Sequence, residues 1–356
     1  MSNLGKKIGI VTFHKAPSYG AVLQSYALLQ TVKKICPNAT AGLIDLYPER
    51  FSKHNINDNY RVFYNFSKTF LPVLTLERPT LPECLAEVVE KNQPVTDLLA
   101  GSDQIWNPHI LKDTVKDYFM YGDLGNVNKF SFAASFGVNE LNPDPDTKKI
   151  ICAALSSYKR ISVRESSGIE LCKNFGRSDA VNVLDPTLAA DPAIYSNFIQ
   201  PDFCKNKVVG FFLAKAKYQA KILKKISRVL KSSPLFLGCK TPFLSFIAAN
   251  PNPAVEEFVS AIHNADCIAT DSFHGVCFSI IFRKQFVVLP SHRKDRFVRI
   301  AELLQMLNLE KQIIYDHSSE QAIQATISPI DYNQVYDILN SKRKFSLAYL
   351  QECFAE

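Results

Sequence analysis

The stretch KKIGIVTFHKAPSYGAVLQSYALLQTVKKI, residues 6–35, decides the fold class. It opens with the short β-branched run KKIGIVTF, which has the length of a strand. The turn formers of HKAPSYG follow, and GAVLQSYALLQTVKKI then repeats apolar residues at helical spacing. A strand, a turn and a helix in that order make half of a parallel βαβ unit.

The alternation continues outward from there. Further strands are predicted at VTDLLAG, KFSFAAS, RISVR and VNVLD, and then at KVVGFFLA, PLFLG, DCIATD and QFVVLP. Between the two groups lies PTLAADPAIYSNFIQPDFCKN, rich in turn formers, which marks a boundary near residues 190–206. The expected architecture is α/β: two Rossmann-like domains facing each other across a cleft, residues 1–195 and 196–330. Residues 331–356, beginning DYNQVYDILNSKRKF, read as one helix packing back across both. Residues 50–95 are the hardest to read and carry many aromatics, among them Phe51, Tyr60, Phe63, Phe66 and Phe70.

At 356 residues the chain exceeds what one hydrophobic core holds, which fits two domains. Its composition, 47% hydrophobic and 21% charged, is that of a globular protein. No stretch approaches the roughly 18–20 unbroken apolar residues of a membrane span, and IGIVTF is too short for a signal peptide. A cytoplasmic protein is expected. Nine scattered cysteines, never paired as CxxC, read as core residues or loose thiols, with neither a zinc site nor a disulfide framework. The net charge of +7 gives mild attraction for anions, but no Lys/Arg stripe with interleaved aromatics stands out, so nucleic acid is not an expected partner.

Ligands of open parallel sheets bind beyond the carboxyl ends of the strands, so the residues after each strand are the candidates. In HKAPSYG, residues 14–20, Tyr19 and Gly20 stand where helix N–H groups face an anion or a sugar oxygen, with His14 at the strand exit. A tight turn with a surface histidine accounts for this stretch equally well. In AGSDQIWNP, residues 100–108, Asp103 can offer a carboxylate and Trp106 an aromatic plate for a sugar face; alternatively Asp103 caps a turn and Trp106 is core. In SVRESSG, residues 162–168, the Arg164 guanidinium is shaped for a carboxylate or phosphate, unless it merely pairs with Glu165 at the surface. The turn LDPT follows, in which Asp185 reads as structural. In TDSFHG, residues 270–275, Asp271 and Ser272 are good caps for a helix starting near His274, so its positive end converges on the imidazole. A histidine packed at a helix start is the plainer account.

Taken together, TFHKAPSYGAVLQSYALLQ, GSDQIWNP, SVRESSGIELC with VLDPTL, ADCIATDSFHGVCFSIIFRKQF and RFVRIAELLQMLNL resemble the polysaccharide pyruvyl transferase family, in the family's order. The resemblance implies a fold like that of GT-B glycosyltransferases. It also implies transfer of the pyruvyl group of phosphoenolpyruvate to a saccharide as a cyclic ketal, in surface or exopolysaccharide synthesis, with no cofactor or metal. The first domain would be the acceptor side and the second the donor side. His274 would be the principal acid/base, and Asp103 either the second or a ligand for the acceptor hydroxyls. Arg164, Ser272 and Gly275 would bind the donor, while His14, Tyr19, Gly20 and Trp106 would shape the acceptor side.

One departure stands out. Some family members carry an arginine two residues before the histidine, where this chain has Ser272. Arg296 and Arg299, with Arg293 and Lys294, either replace it or form an exposed helix face. A lipid-linked acceptor at the inner face of the membrane fits by analogy, with at most peripheral membrane contact. Two other readings stay open: a GT-B glycosyltransferase using a nucleotide sugar, and a non-catalytic glycan-binding relative.

Overall fold

The computed structural model describes residues 5–46, 58–74, 85–91, 95–214, 217–238, 248–290, 294–315 and 318–355. It divides into two compact units, one of residues 1–191 with 342–356, the other of residues 192–341.

The first unit runs β1 (Lys7–Val11), α1 (Tyr19–Ile35), β2 (Thr40–Leu43), α2 (Asp58–Phe70), α3 (Leu85–Lys91), β3 (Asp97–Ala100), α4 (Pro108–Leu111), α5 (Val115–Tyr118) and β4 (Asn128–Ser131). It continues with α6 (Pro145–Ser156), β5 (Ser162–Val163), α7 (Ser166–Asn174), β6 (Val181–Asn182) and α8 (Pro186–Ala189). The four-stranded sheet has the order β2-β1-β3-β4, all parallel. The parallel pair β5-β6 extends it through bridges from Phe130 to Arg160 and from Ala134 to Val163. The order in which strands are added therefore reverses between β1 and β3, and that is this unit's topological switch point.

Helix α1 is apolar nearly all round because it is covered on two sides: it packs on β2, and α2 and α8 lie against it. Lys33 and Lys34 close its last turn, where cations complement the helix dipole. The aromatics of the hard-to-read segment find their purpose in α2, where they meet α1 edge-on: Tyr19 with Phe63, and Tyr26 with both Phe66 and Phe70. Phe51 lies outside the described residues. Two strands escaped the sequence reading, β2 and, in the second unit, β9, because TAGL and AAN are too short and too weak in β-branched residues to register.

The second unit runs β7 (Lys207–Phe211), α9 (Lys217–Leu230), β8 (Ser233–Leu237), β9 (Ala248–Asn250), α10 (Val255–Asn264) and β10 (Cys267–Thr270). Then come α11 (Phe273–Ile281), β11 (Phe286–Val288), α12 (Lys294–Met306), α13 (Glu320–Thr326) and the start of α14 (Tyr332–Ala355). Its parallel sheet has the order β11-β10-β7-β8-β9, the doubly wound arrangement with its switch point between β7 and β10.

Helix α14 belongs to both units. Its first residues are held in the second unit, where the Tyr336 hydroxyl donates to the carbonyl of Ile281 at 2.9 Å and Arg283 stacks 4.1 Å from the Tyr336 ring centre. Beyond Ser341 the partners lie in the first unit: the Tyr349 hydroxyl donates to the Ser131 carbonyl at 3.0 Å, and the Arg343 Nε to that of Leu188 at 2.9 Å. The described cysteines are free thiols, and desolvation pushes Cys172 and Cys267 up to about 12, which makes both inert. No helix among the described residues is long and apolar enough to cross a membrane.

Candidate functional site

The first switch point is built from two strand exits picked out in the sequence, the second from one such exit, that of β10, and the exit of β7, which was not; each is described within its own unit.

In the first unit the exits of β1 and β3 are bolted together. The Thr12 hydroxyl donates to the Ser102 carbonyl at 2.9 Å and accepts from Gln24 Nε2 at 2.8 Å, so a polar residue inside α1 holds the turn. Gly101 eases this approach, since a Cβ there would stand a tight 3.0 Å from Thr12 and from Leu28. Two residues on, Asp103 adopts φ 75°, in the left-handed region that costs a non-glycine residue energy. Its carbonyl accepts from the amides of Ile105 and Ser135. Strain of this kind, held by the surrounding sheet, points the partly exposed Asp103 carboxylate in one fixed direction.

Behind Asp103 lies a buried cluster around Arg164. Its Nη1 stands 3.1 Å from Asp185 Oδ2, its Nε 3.7 Å from Glu165 Oε2, and its Nη2 4.0 Å from Asp103 Oδ1. Ser102 Oγ donates to Asp185 at 2.9 Å, and Ser135 Oγ to Glu165 at 2.7 Å. Burial works against the guanidinium's charge, but Asp185, then Glu165 and Asp103, overcome it and hold its pKa above the ordinary value. The surface pair envisaged between Arg164 and Glu165 is therefore corrected: the arginine side chain is only 2% exposed and two carboxylates fix its plane. Asp185 also caps α8 through Thr187, as its Asp-Pro sequence suggested, and its link to Arg164 was not legible.

The four acceptor-side expectations are corrected by burial. Trp106 has no exposed surface. It stacks on Phe119 with ring centres 5.6 Å apart and is wedged between Phe136 and Tyr158, leaving no face for a sugar. His14 is 1% exposed, with Nδ1 facing the Thr12 carbonyl at 3.2 Å and Nε2 3.5 Å from Asp45 Oδ1. Tyr19 is likewise packed against Phe63, and Gly20 is buried in the first turn of α1. These residues shape the turn from inside rather than from its surface.

Asp45, which also pairs with Lys15, is the acid that sequence reasoning missed. The signal was its position inside LIDLYP, a charge within an apolar run. Burial raises its pKa, but the contacts with His14 and Lys15 outweigh it and hold the carboxyl well below the usual range. A depressed folded pKa contributes stability that is complete above about pH 4, the unfolded value, and fades as the pH falls toward the folded one. Urea unfolding across an acid pH series should show this limb flattened in Asp45→Asn.

In the second unit the switch point joins the exits of β7 and β10. Asp271 does not cap the following helix; both its oxygens accept backbone amides from beyond β7, Leu213 at 2.6 Å and Ala214 at 3.0 Å. Burial, the largest effect, raises its pKa against those bonds. Ser272 is the N-cap of α11, accepting from Gly275 N at 3.3 Å. Gly275 is required by packing, since a Cβ would meet Thr270 Oγ1 at 2.5 Å. Its amide is thus taken by the cap, which corrects its assignment to the donor.

His274, in the first turn of α11, is partly exposed with its ring edge-on to Phe273. Helix α12, packed on α11, carries Arg299, partly buried, and Arg296; the side chain of Arg296, and Arg293 entirely, lie outside the described residues. Among the described residues no group of three or more His, Cys, Asp or Glu is placed to hold a metal ion.

A family model of polysaccharide pyruvyl transferases matches residues 19–293, which include Asp103, Arg164 and His274. The chain belongs to the polysaccharide pyruvyl transferase family. Solved structures agree on the fold while differing widely in sequence. A UDP-GlcNAc 2-epimerase from Neisseria meningitidis bound to UDP-GlcNAc superposes with a TM-score of 0.57 at 12% identity, over 96% of this chain and 94% of its own. The Staphylococcus aureus MnaA–UDP structure gives 0.54 at 12%, over 94% and 90%, and Arabidopsis thaliana UGT89C1 complexed with quercetin gives 0.53 at 11%, over 98% and 99%. The fold that this family member shares with them is GT-B. No curated protein matches the chain.

Proposed function

We propose that this transferase moves the pyruvyl group of phosphoenolpyruvate onto a saccharide, forming a cyclic ketal in surface or exopolysaccharide synthesis. The observation that carries the reading is His274 at the start of α11, beside the β7/β10 switch point and inside the stretch that matches the family.

The chemistry sets the requirements. Protonation of the donor's methylene carbon leaves an oxocarbenium-like centre at the enol carbon. One sugar hydroxyl adds there and loses its proton; the carbon–oxygen bond to phosphate then breaks, and a second hydroxyl closes the ring with loss of its own proton. His274 is the acid that protonates the methylene and the base that takes a hydroxyl proton. The start of α11 carries N–H groups without intrahelical acceptors and a positive dipole end, suited to the departing phosphate. Arg299 supplies a cation from α12 in place of the one absent at Ser272. Asp103, aimed by its backbone, is the second acid/base or holds the acceptor hydroxyls. Within the first unit, Arg164 keeps its expected role toward an anionic group, with Nη1 held by Asp185 and its Nη2 edge turned to Asp103. No step calls for a cofactor or metal. A lipid-linked saccharide at the inner membrane face is the acceptor this reading favours.

A second reading is a nucleotide-sugar transferase, favoured by the UDP and UDP-GlcNAc in two of the structures of like fold. Thermal melting with millimolar phosphoenolpyruvate, set beside UDP and UDP-sugars, separates the two. Stabilisation by phosphoenolpyruvate alone is expected, followed by phosphate release once a saccharide acceptor is supplied. Stabilisation by UDP alone would replace the donor with a nucleotide sugar.

A further inference from the structure

The chain's positive charge is not spread over its surface. Residues 201–240 carry ten Lys and Arg against Asp202 alone, a net +9, so the rest of the chain sums to −2 against the whole chain's +7. The expectation concerned a stripe with interleaved aromatics, and α9 carries none at its surface; the sequence hides the basic face because its charges alternate with core residues until helix α9 sorts them. Tyr218, Ala220, Ile222, Leu223 and Ile226 face inward, where α9 covers β7 and β8. Lys221, Lys224, Lys225 and Arg228, at spacings of three, four and seven, come round to the opposite face, and Lys231 follows directly after the helix end. Lys221, Arg228 and Lys231 are exposed and the other two partly so. The helix bears no acid, and it is about 21 Å long.

We propose that this face of α9 docks the protein on an anionic phospholipid surface. Three features select that partner. Four of the five cations are lysines, compact hydrated charges suited to a diffuse plane of anionic headgroups rather than to forked contact with phosphates in fixed geometry. The helix's one aromatic, Tyr218, is buried beneath the stripe, so there is no platform on it for stacking bases. An exposed apolar side chain on the helix itself, Val229, is available to enter the headgroup layer. The arrangement lies wholly within the second unit and does not depend on the identity of the donor.

The test is co-sedimentation of the intact protein with vesicles of phosphatidylcholine, and of phosphatidylcholine mixed equally with phosphatidylglycerol. Retention is expected only on the anionic vesicles and should fall as salt shortens the Debye length from about 10 Å at 0.1 M. Each cation near such a surface contributes about fivefold in partitioning. The triple variant Lys221→Gln, Lys225→Gln, Arg228→Gln should therefore lose roughly a hundredfold. A control with the same charge change, Lys148→Gln, Lys149→Gln, Lys173→Gln on exposed positions of the first unit, should lose little. Circular dichroism of both variants establishes that they fold. Absence of retention, or an equal loss in the control, overturns the proposal; so does retention of a single-stranded oligonucleotide without vesicles, which would make the stripe a nucleic-acid face. Any of these can occur while phosphoenolpyruvate still stabilises the protein, so the docking surface and the pyruvyl-transfer reading fail separately.

Discussion

Replacing Arg164 with methionine should cost about 3–5 kcal/mol of stability, a large part of what holds a domain folded. The size follows from what stays behind. Asp185 has no exposed side-chain surface and Glu165 only 3%, and both stand against the guanidinium without water to take its place. Methionine fills much of the volume but carries no charge, so the loss is electrostatic rather than a cavity. Neutral donors to the carboxylates, among them the hydroxyls of Ser102, Ser135 and Thr187 and the amides of Thr187 and Gly137, hold their oxygens in place but do not neutralise them. Denaturant unfolding measures the cost, and the double variant with Asp185→Asn isolates the cause. Because the introduced side-chain amide can still accept at the α8 cap and removes the nearer of the two buried charges, leaving only that of Glu165, the pair should be more stable than the sum of the single changes. Simple additivity would mean that Arg164 acts by packing alone. The experiment also bears on function, since an arginine so constrained presents one edge in a fixed position, whereas a surface arginine would have to be ordered by the ligand.

The strands that were legible in the sequence are those with β-branched or aromatic runs between turn formers, such as KIGIV in β1 and KVVGF in β7. Strand exits were legible for the same reason: the run ends visibly, and polar residues follow. What could not be read was direction. His14, Trp106 and Asp103 all follow strands, yet only Asp103 is partly exposed, because its positive φ turns it outward while Trp106, three residues on, closes into an aromatic core. A sequence records that a tryptophan is near a strand end but not which side of the next turn it takes. Partners distant in sequence were hidden likewise. Arg164 and Asp185 are 21 residues apart, and His14 and Asp45 are joined through a strand too short to be recognised. The basic face of α9 required the helix itself, which the runs KILKK and SRVL do not announce beside their flanking strands.

His274→Ala should lower turnover by about 10²–10⁴, the usual worth of a positioned acid/base, while leaving the fold and the stabilisation by phosphoenolpyruvate in place. The fold should survive because the imidazole is partly exposed and the cap of α11 does not use it: Ser272 and Gly275 hold the first turn, and Asp271 holds the neighbouring loop. Donor binding should survive because the proposed reading gives the phosphate to the helix start and not to the ring. Phosphate release with an acceptor present measures turnover, and thermal melting with phosphoenolpyruvate measures binding on the same preparation. Losing both together would make His274 a donor ligand, with proton transfer passing to Asp103. Turnover left intact would remove His274 from the chemistry and leave Asp103 as the acid/base, in a protein that still belongs to the family. Loss of turnover with binding retained is what a proton carrier at the β7/β10 switch point requires, because the methylene carbon is protonated only after the phosphate has been seated.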